Sequence, residues 1–229
     1  MMKYKLCIFD LDGTTVDSLQ SIAHTANERL TANGLPAHPV EAYKKFAGDG
    51  QNKLIERALL AAGDTELQLY DKVMAEYIEA FAAGCTYGAR AFDGIKEMLQ
   101  QLHAAGIKTA ILSNKKHENA VTVIDSVFGK DEQGVPFFDE VMGQMDSYPK
   151  KPNPFGAFML SGEFEAEPEE CVYVGDTDTD MKTGKAAGMM TVGVTWGFRD
   201  REELLNNGAD VIADSPNEIV RLALGVNND

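Results

Sequence analysis

The chain has 229 residues, 44% of them hydrophobic and 25% charged, and a formal net charge of −15 at pH 7. That length supports one large domain or two small ones with a real core, and the acidity argues against nucleic acid and anionic membrane surfaces as partners. A mean hydropathy of −0.23 without an apolar run near the ~18 residues of a membrane span, and an N-terminus with no leader-like apolar region, point to a cytoplasmic protein.

In chain order, residues 5–9 form a short apolar run ending in Asp10, the pattern of a buried strand, and Asp12-Gly13-Thr14-Thr15 breaks it as a turn. From 18 to 33 apolar residues recur at Ile22, Ala23, Ala26 and Leu30, which is helical spacing, and Gly34 supplies a stop. Further helices are predicted over 40–46, 51–62 and 65–82, with Asp64 as N-cap of the last. No convincing strand falls between 18 and 86. Past Tyr87-Gly88 the pattern alternates: helix 93–105, strand 107–112, helix 118–128, a weaker strand 140–142, helix 154–164 and strand 171–174. Helix 178–187, strand 191–194, helix 200–207, strand 210–212 and helix 216–224 complete it, before a tail from 225 to 229 that is predicted to fray. Such alternation means parallel βαβ units. The predicted fold is α/β, a doubly wound Rossmann-like parallel sheet built from 1–16 and 88–229, with an all-α helical insert at 17–87. Cys7, Cys85 and Cys171 are odd in number and far apart, and read as buried thiols, not as a disulfide framework or metal knot.

In an open α/β sheet, ligands bind beyond the carboxyl ends of the strands. Asp10-Leu11-Asp12-Gly13-Thr14 follows the first strand, Ser113-Asn114 the second, and Gly175-Asp176-Thr177-Asp178-Thr179-Asp180 the fourth. Lys150-Lys151-Pro152 precedes the helix that leads into that fourth strand. Facing carboxylates without His or Cys favour Mg²⁺, which takes one or two carboxylates, waters and a substrate phosphate oxygen. Asp10 can attack phosphorus and form an aspartyl-phosphate. Asp12, two residues on, can protonate the leaving oxygen and later activate water. Gly13 permits the turn, Ser113 or Thr14 hydroxyls can bind phosphoryl oxygens, and Lys151 can cancel charge on the phosphoryl group and on Asp10. Asp178 reads as a helix N-cap and Asp180 as aimed at the site. His24, His38, His103 and His117 are scattered and take no role, and Trp196 reads as packing.

These four segments, in this order and strand context, resemble the motifs of the haloacid-dehalogenase-like hydrolases over essentially the whole chain, and the helical insert resembles that family's small α-helical cap. More narrowly, Asp17-Ser18, Ala47-Gly48-Asp49-Gly50 ahead of Leu54-Ile55-Glu56-Arg57-Ala58-Leu59, and Gly193-Val194-Thr195-Trp196-Gly197 resemble the phosphoglycolate phosphatase group. The resemblance implies Asp10 as nucleophile and Asp12 as acid/base. It implies Mg²⁺ on Asp10, the Asp12 backbone carbonyl and Asp176, with Ser113 and Lys151 at the phosphoryl group. Thr14, Asn114 and Asp180 would support the site. Lys151 is preferred over Lys150 because it directly precedes Pro152, as in the family. A cap loop at Gly48, Asp49 and Gly50 would contact the substrate, a small phosphorylated metabolite, phosphoglycolate being the candidate. Lys44, Lys45, Lys53 and Arg57 could anchor a substrate carboxylate, although a solvated helix face suits each of them better. Hinges for cap closure are expected near Asp17 and Tyr87. A sugar phosphomutase or pyrophosphatase on the same core is the enzymatic alternative, and a non-catalytic divalent-cation scaffold the other. No oligomeric state is read from the sequence.

Overall fold

The computed structural model describes residues 4–226. Most of the predicted frayed tail lies outside the described residues, but Val226 N donates to Arg221 O at 2.9 Å and so closes the last helix. The first strand, β1 (Leu6–Phe9), is buried along its whole length, with Cys7 and Phe9 in one core and Leu6 and Ile8 in another. A strand apolar on both faces belongs inside a parallel sheet that is covered on both sides. The chain continues through β2 (Val16–Asp17), α1 (Leu19–Ala32), α2 (Tyr43–Phe46), α3 (Gln51–Ala61), α4 (Tyr70–Gly84) and β3 (Arg90–Ala91). There follow α5 (Ile95–Ala104), β4 (Lys108–Lys116), α6 (His117–Val127), β5 (Glu140–Gln144), α7 (Phe155–Glu163) and β6 (Cys171–Gly175). The last elements are α8 (Asp178–Ala186), β7 (Met190–Val194), α9 (Arg201–Asn206), β8 (Val211–Ala213) and α10 (Pro216–Leu224).

Six of the strands form one parallel sheet in the order β5-β4-β1-β6-β7-β8. Phe9 lies beside Ile111 on one side and Val174 on the other. The chain fills the sheet outward from β1 to β5, then crosses back to β6. That reversal opens a crevice at the carboxyl ends of β4, β1 and β6, where ligands of doubly wound sheets bind. α5 and α10 bury Leu99, Leu102, Ile219 and Ala223 on one face, and α7 buries Ala157 and Leu160 on the other.

The helices between β2 and β3 pack on one another. α1 presents Ile22, Ala26 and Leu30 to α4, which presents Val73, Tyr77 and Phe81, a four-residue repeat that keeps one apolar stripe per helix. The stem of this segment is an antiparallel ribbon, Val16 opposite Ala91 and Asp17 opposite Arg90, the latter pair bridged at 2.8 Å. The sequence gives no sign of this ribbon, because two-residue strands have no period to read.

Three local expectations change. Asp64 is not the cap of α4. Its carboxylate accepts from Gln68 N and Leu69 N, holding a turn in which Leu67 takes φ 53°, so the helix starts at Tyr70. Residues 40–46 open with a 3₁₀ turn, Val40–Ala42. β4 runs on past a register irregularity after Leu112, so Ser113 and Asn114 lie within the strand instead of after it. Among the described residues no helix is long and apolar enough to cross a membrane.

Candidate active site

β1 hands Asp10 straight into the crevice, Asp10 N donating to Val174 O at 2.9 Å as the ladder ends. The next residues fold back tightly, with Gly13 N on Val16 O and Val16 N on Leu11 O, both at 2.9 Å. Gly13 has φ 90°, and a Cβ there would lie 2.2 Å from Asp176 Oδ2. Both conformation and space therefore demand glycine.

The centre of the site is Lys151, buried, whose Nζ lies 2.7 Å from Asp10 Oδ1 and 2.7 Å from Asp180 Oδ1. Asn114 fixes the lysine's backbone at both groups. Its Oδ1 accepts from Lys151 N at 2.9 Å, and its Nδ2 donates to Lys151 O at 3.1 Å. Asp180 Oδ2 accepts from Thr177 N and Thr177 Oγ1, which makes a capping box at the start of α8. Thr177 is thus the N-cap, and Asp178 sits one residue inside the helix, paired with Lys182 at 2.6 Å. Asp176 Oδ1 accepts from Thr14 Oγ1 at 2.8 Å and Oδ2 from Phe198 N at 2.8 Å. Thr14 is fully buried and donates its one hydroxyl proton to Asp176, so it positions that carboxylate and has no donor left for a phosphoryl oxygen. Trp196 packs against the core, as the sequence suggests, and its Nε1 also donates to Thr14 O at 2.9 Å.

Asp10, Asp176 and Asp180 bring carboxylate oxygens within 4.8 Å of one another. Burial first, then the charge of Asp180, pushes the Asp10 carboxyl up to about 7, against the pull of Lys151. Burial, with Asp180 and Asp10 beside it, holds Asp176 well above the usual carboxylate range. Burial alone would lower Lys151, but the Asp10 and Asp180 carboxylates more than offset it, and the ammonium stays charged. Three buried carboxyl groups thus face one ammonium, so they cannot all ionise together without a further positive charge. Buried charge is costly alone. An all-oxygen donor set with this imbalance fits a hard divalent cation.

Asp12 stands beside this cluster. Its Oδ1 accepts from Ser18 Oγ at 2.5 Å, and both oxygens accept from Lys115 Nζ, at 2.7 and 2.8 Å. Lys115 was not singled out from the sequence; it lies two residues past Ser113, whose Oγ accepts from Lys115 N at 3.2 Å.

A cavity of about 50 Å³ opens over Asp10, Asp12 and Ser113, and its helical wall is Ile22, Leu54, Tyr77 and Phe81. Gly48 and Gly50 line it, both with positive φ. Asp49 does not. Its carboxylate turns to Thr179 Oγ1 at 2.7 Å and Arg57 at 2.5 Å, while its carbonyl receives Lys150 Nζ at 2.7 Å. Lys44 pairs with Glu41 and Lys53 with Glu56, and neither these nor Arg57 line the cavity. Of the two adjacent lysines, 151 is in the site and 150 is on its rim.

Residues 7–194 match the family model described as haloacid dehalogenase-like hydrolase. The phosphoglycolate phosphatase of Vibrio parahaemolyticus is 30% identical over 224 residues, covering 95% of both chains. That of Haemophilus influenzae is 32% identical over 219 residues, covering 93% of this chain and 95% of the relative. A solved structure from Lactobacillus delbrueckii subsp. bulgaricus superposes with a TM-score of 0.88 at 27% identity, over 98% of this chain and 100% of that one. CbbY from Rhodobacter sphaeroides, solved in complex with phosphate, shares the fold at a TM-score of 0.76 and 22% identity, over 97% and 99%.

Proposed function

Since the chain belongs to the haloacid dehalogenase-like hydrolases and is an enzyme of their phosphatase type, we propose that it hydrolyses a small phosphomonoester, phosphoglycolate, through a phosphorylated Asp10. The observation that carries this reading is Lys151 held between Asp10 and Asp180 at the sheet's switch point, with Asp176 alongside. Asp10 supplies the attacking oxygen as the bond from phosphorus to the leaving alkoxide breaks. Asp12, protonated at that stage, gives its proton to the departing oxygen. It then takes one from the water that attacks phosphorus and returns Asp10 to a free carboxylate. Lys151 and Ser113 face the phosphoryl oxygens, and Asn114 and Asp180 keep Lys151 in place. Mg²⁺, held by Asp10, the Asp12 carbonyl and Asp176, would neutralise phosphoryl charge. The helices from α1 to α4 act as a cap that excludes water, with Gly48 and Gly50 over the substrate. The three buried free thiols support a cytoplasmic setting.

Release of inorganic phosphate from a panel of phosphorylated metabolites, ranked by kcat/KM, tests the substrate, with phosphoglycolate expected first. Asp10→Asn should lose activity on the scale of other nucleophile deletions, on the order of 10⁶-fold. Appreciable turnover by a folded Asp10→Asn protein would overturn the reading.

A further inference from the structure

We propose that Lys115 is a positioning residue for the proton-transfer step: its ammonium clamps both oxygens of Asp12 and selects Oδ2 as the oxygen that carries the proton. This rests on the phosphatase reading given above. Lys115 Nζ lies 2.7 Å from Oδ1 and 2.8 Å from Oδ2, and its side chain is 4% exposed. Lys115 has no other ion-pair partner among the described residues, and Asp12 pairs with no other cation. A carboxylate oxygen has two acceptor positions. On Oδ1 both are filled, by Ser18 Oγ and Lys115 Nζ. On Oδ2 Lys115 is the only donor among the described residues, which leaves one position for a proton. The ammonium also stands 4.9 Å from the centroid of the Phe81 ring, within cation–π range. Phe81 comes from α4, so the clamp is completed by the helical segment between β2 and β3.

The chemistry balances with Lys115 keeping all three protons. The Oδ2 proton passes to the leaving oxygen as the Asp10–phosphorus bond forms. Oδ2 then receives a proton from water as the water oxygen bonds to phosphorus and the acyl phosphate breaks. A lysine bound to both oxygens of Asp12 fixes the plane of the carboxylate. It would have to let go of Asp12 to bind an anion of the substrate.

The test is transient and steady-state kinetics of Lys115→Met and Lys115→Arg, with Asp12→Asn as reference, on phosphoglycolate and on p-nitrophenyl phosphate. A nitrophenolate leaves without a proton, so only its second step needs Asp12. We expect Lys115→Met to lower kcat on phosphoglycolate about 100-fold, within the range of acid–base catalysis, with KM little changed. On p-nitrophenyl phosphate it should keep the burst of nitrophenolate and slow only the steady state, leaving phosphoenzyme to accumulate. Lys115→Arg, which preserves a two-point contact, should recover part of the loss. A raised KM for phosphoglycolate with kcat intact would overturn the proposal in favour of a substrate-binding lysine. Equal loss on both substrates and in both phases would overturn it in favour of a purely structural one. If Asp12→Asn itself lacks the leaving-group pattern, the acid/base assignment fails. If Asp12→Asn shows the pattern and Lys115→Met does not, only the Lys115 role fails.

Discussion

Asp10 and Asp176 are held protonated by burial where free carboxylates would already be charged, and this has a measurable consequence in the cation-free protein. For Asp10 the carboxyl titrates at about 7, against an ordinary value of 3.8. Over that interval the folded chain binds more protons than the unfolded chain, so stability falls as pH rises. Asp176, raised in the same direction, extends the fall. Thermal unfolding in chelator should therefore show Tm declining between roughly pH 4 and 7. Asp10→Asn, which removes one of the charges, should flatten the decline and raise Tm at neutral pH. An unchanged slope would count against the burial argument. Asp12 differs: its charge is matched by Lys115, so Asp12→Asn should cost activity, on the order of 10²- to 10⁴-fold, without that gain in Tm.

Between elements, the loop from α2 to α3 is tied to the sheet side by several polar contacts. Thr179 on α8 donates to Asp49 at 2.7 Å, Lys150 to Asp49 O at 2.7 Å, and Arg199 to Ala47 O at 2.9 Å. Thr179→Val keeps the shape and removes the first of these. We expect faster amide exchange by mass spectrometry in residues 47–50, and a loss of about 1 kcal/mol in stability. Exchange unaltered in that loop would show that the contact does not hold it. The core strands and the ends of β1 and β6 were legible because buried strands are continuous apolar runs and their terminal Asp residues interrupt them. The direction of the Asp49 side chain was not, since Arg57 and Thr179 reach it from other elements. Nor was the role of Thr14, whose hydroxyl meets Asp176 across 162 positions of chain. Lys115 was not legible either, because the strand was expected to stop at Leu112 and the register irregularity beyond that residue breaks the alternation that would have placed it.

For the whole molecule, the net charge of −15 is compatible with an anionic substrate because its most buried carboxylates sit together, where a bound cation would offset their proximity. Adding Mg²⁺ should therefore raise Tm, by about 2.7 kcal/mol of stability at 100 times its Kd, and the rise should vanish in Asp176→Asn. Exhaustive chelation should stop turnover of any phosphomonoester. The ribbon of Val16–Asp17 against Arg90–Ala91 carries a further consequence. The chain departs from the sheet and rejoins it at one spot, so everything between is a single excursion on a narrow stem. Segments of other lengths and shapes can be spliced onto that stem without shifting the register of any sheet strand. Recombination at these two dipeptides should exchange the helical segment while leaving the sheet strands and the Asp10, Asp176, Asp180 and Lys151 cluster in place.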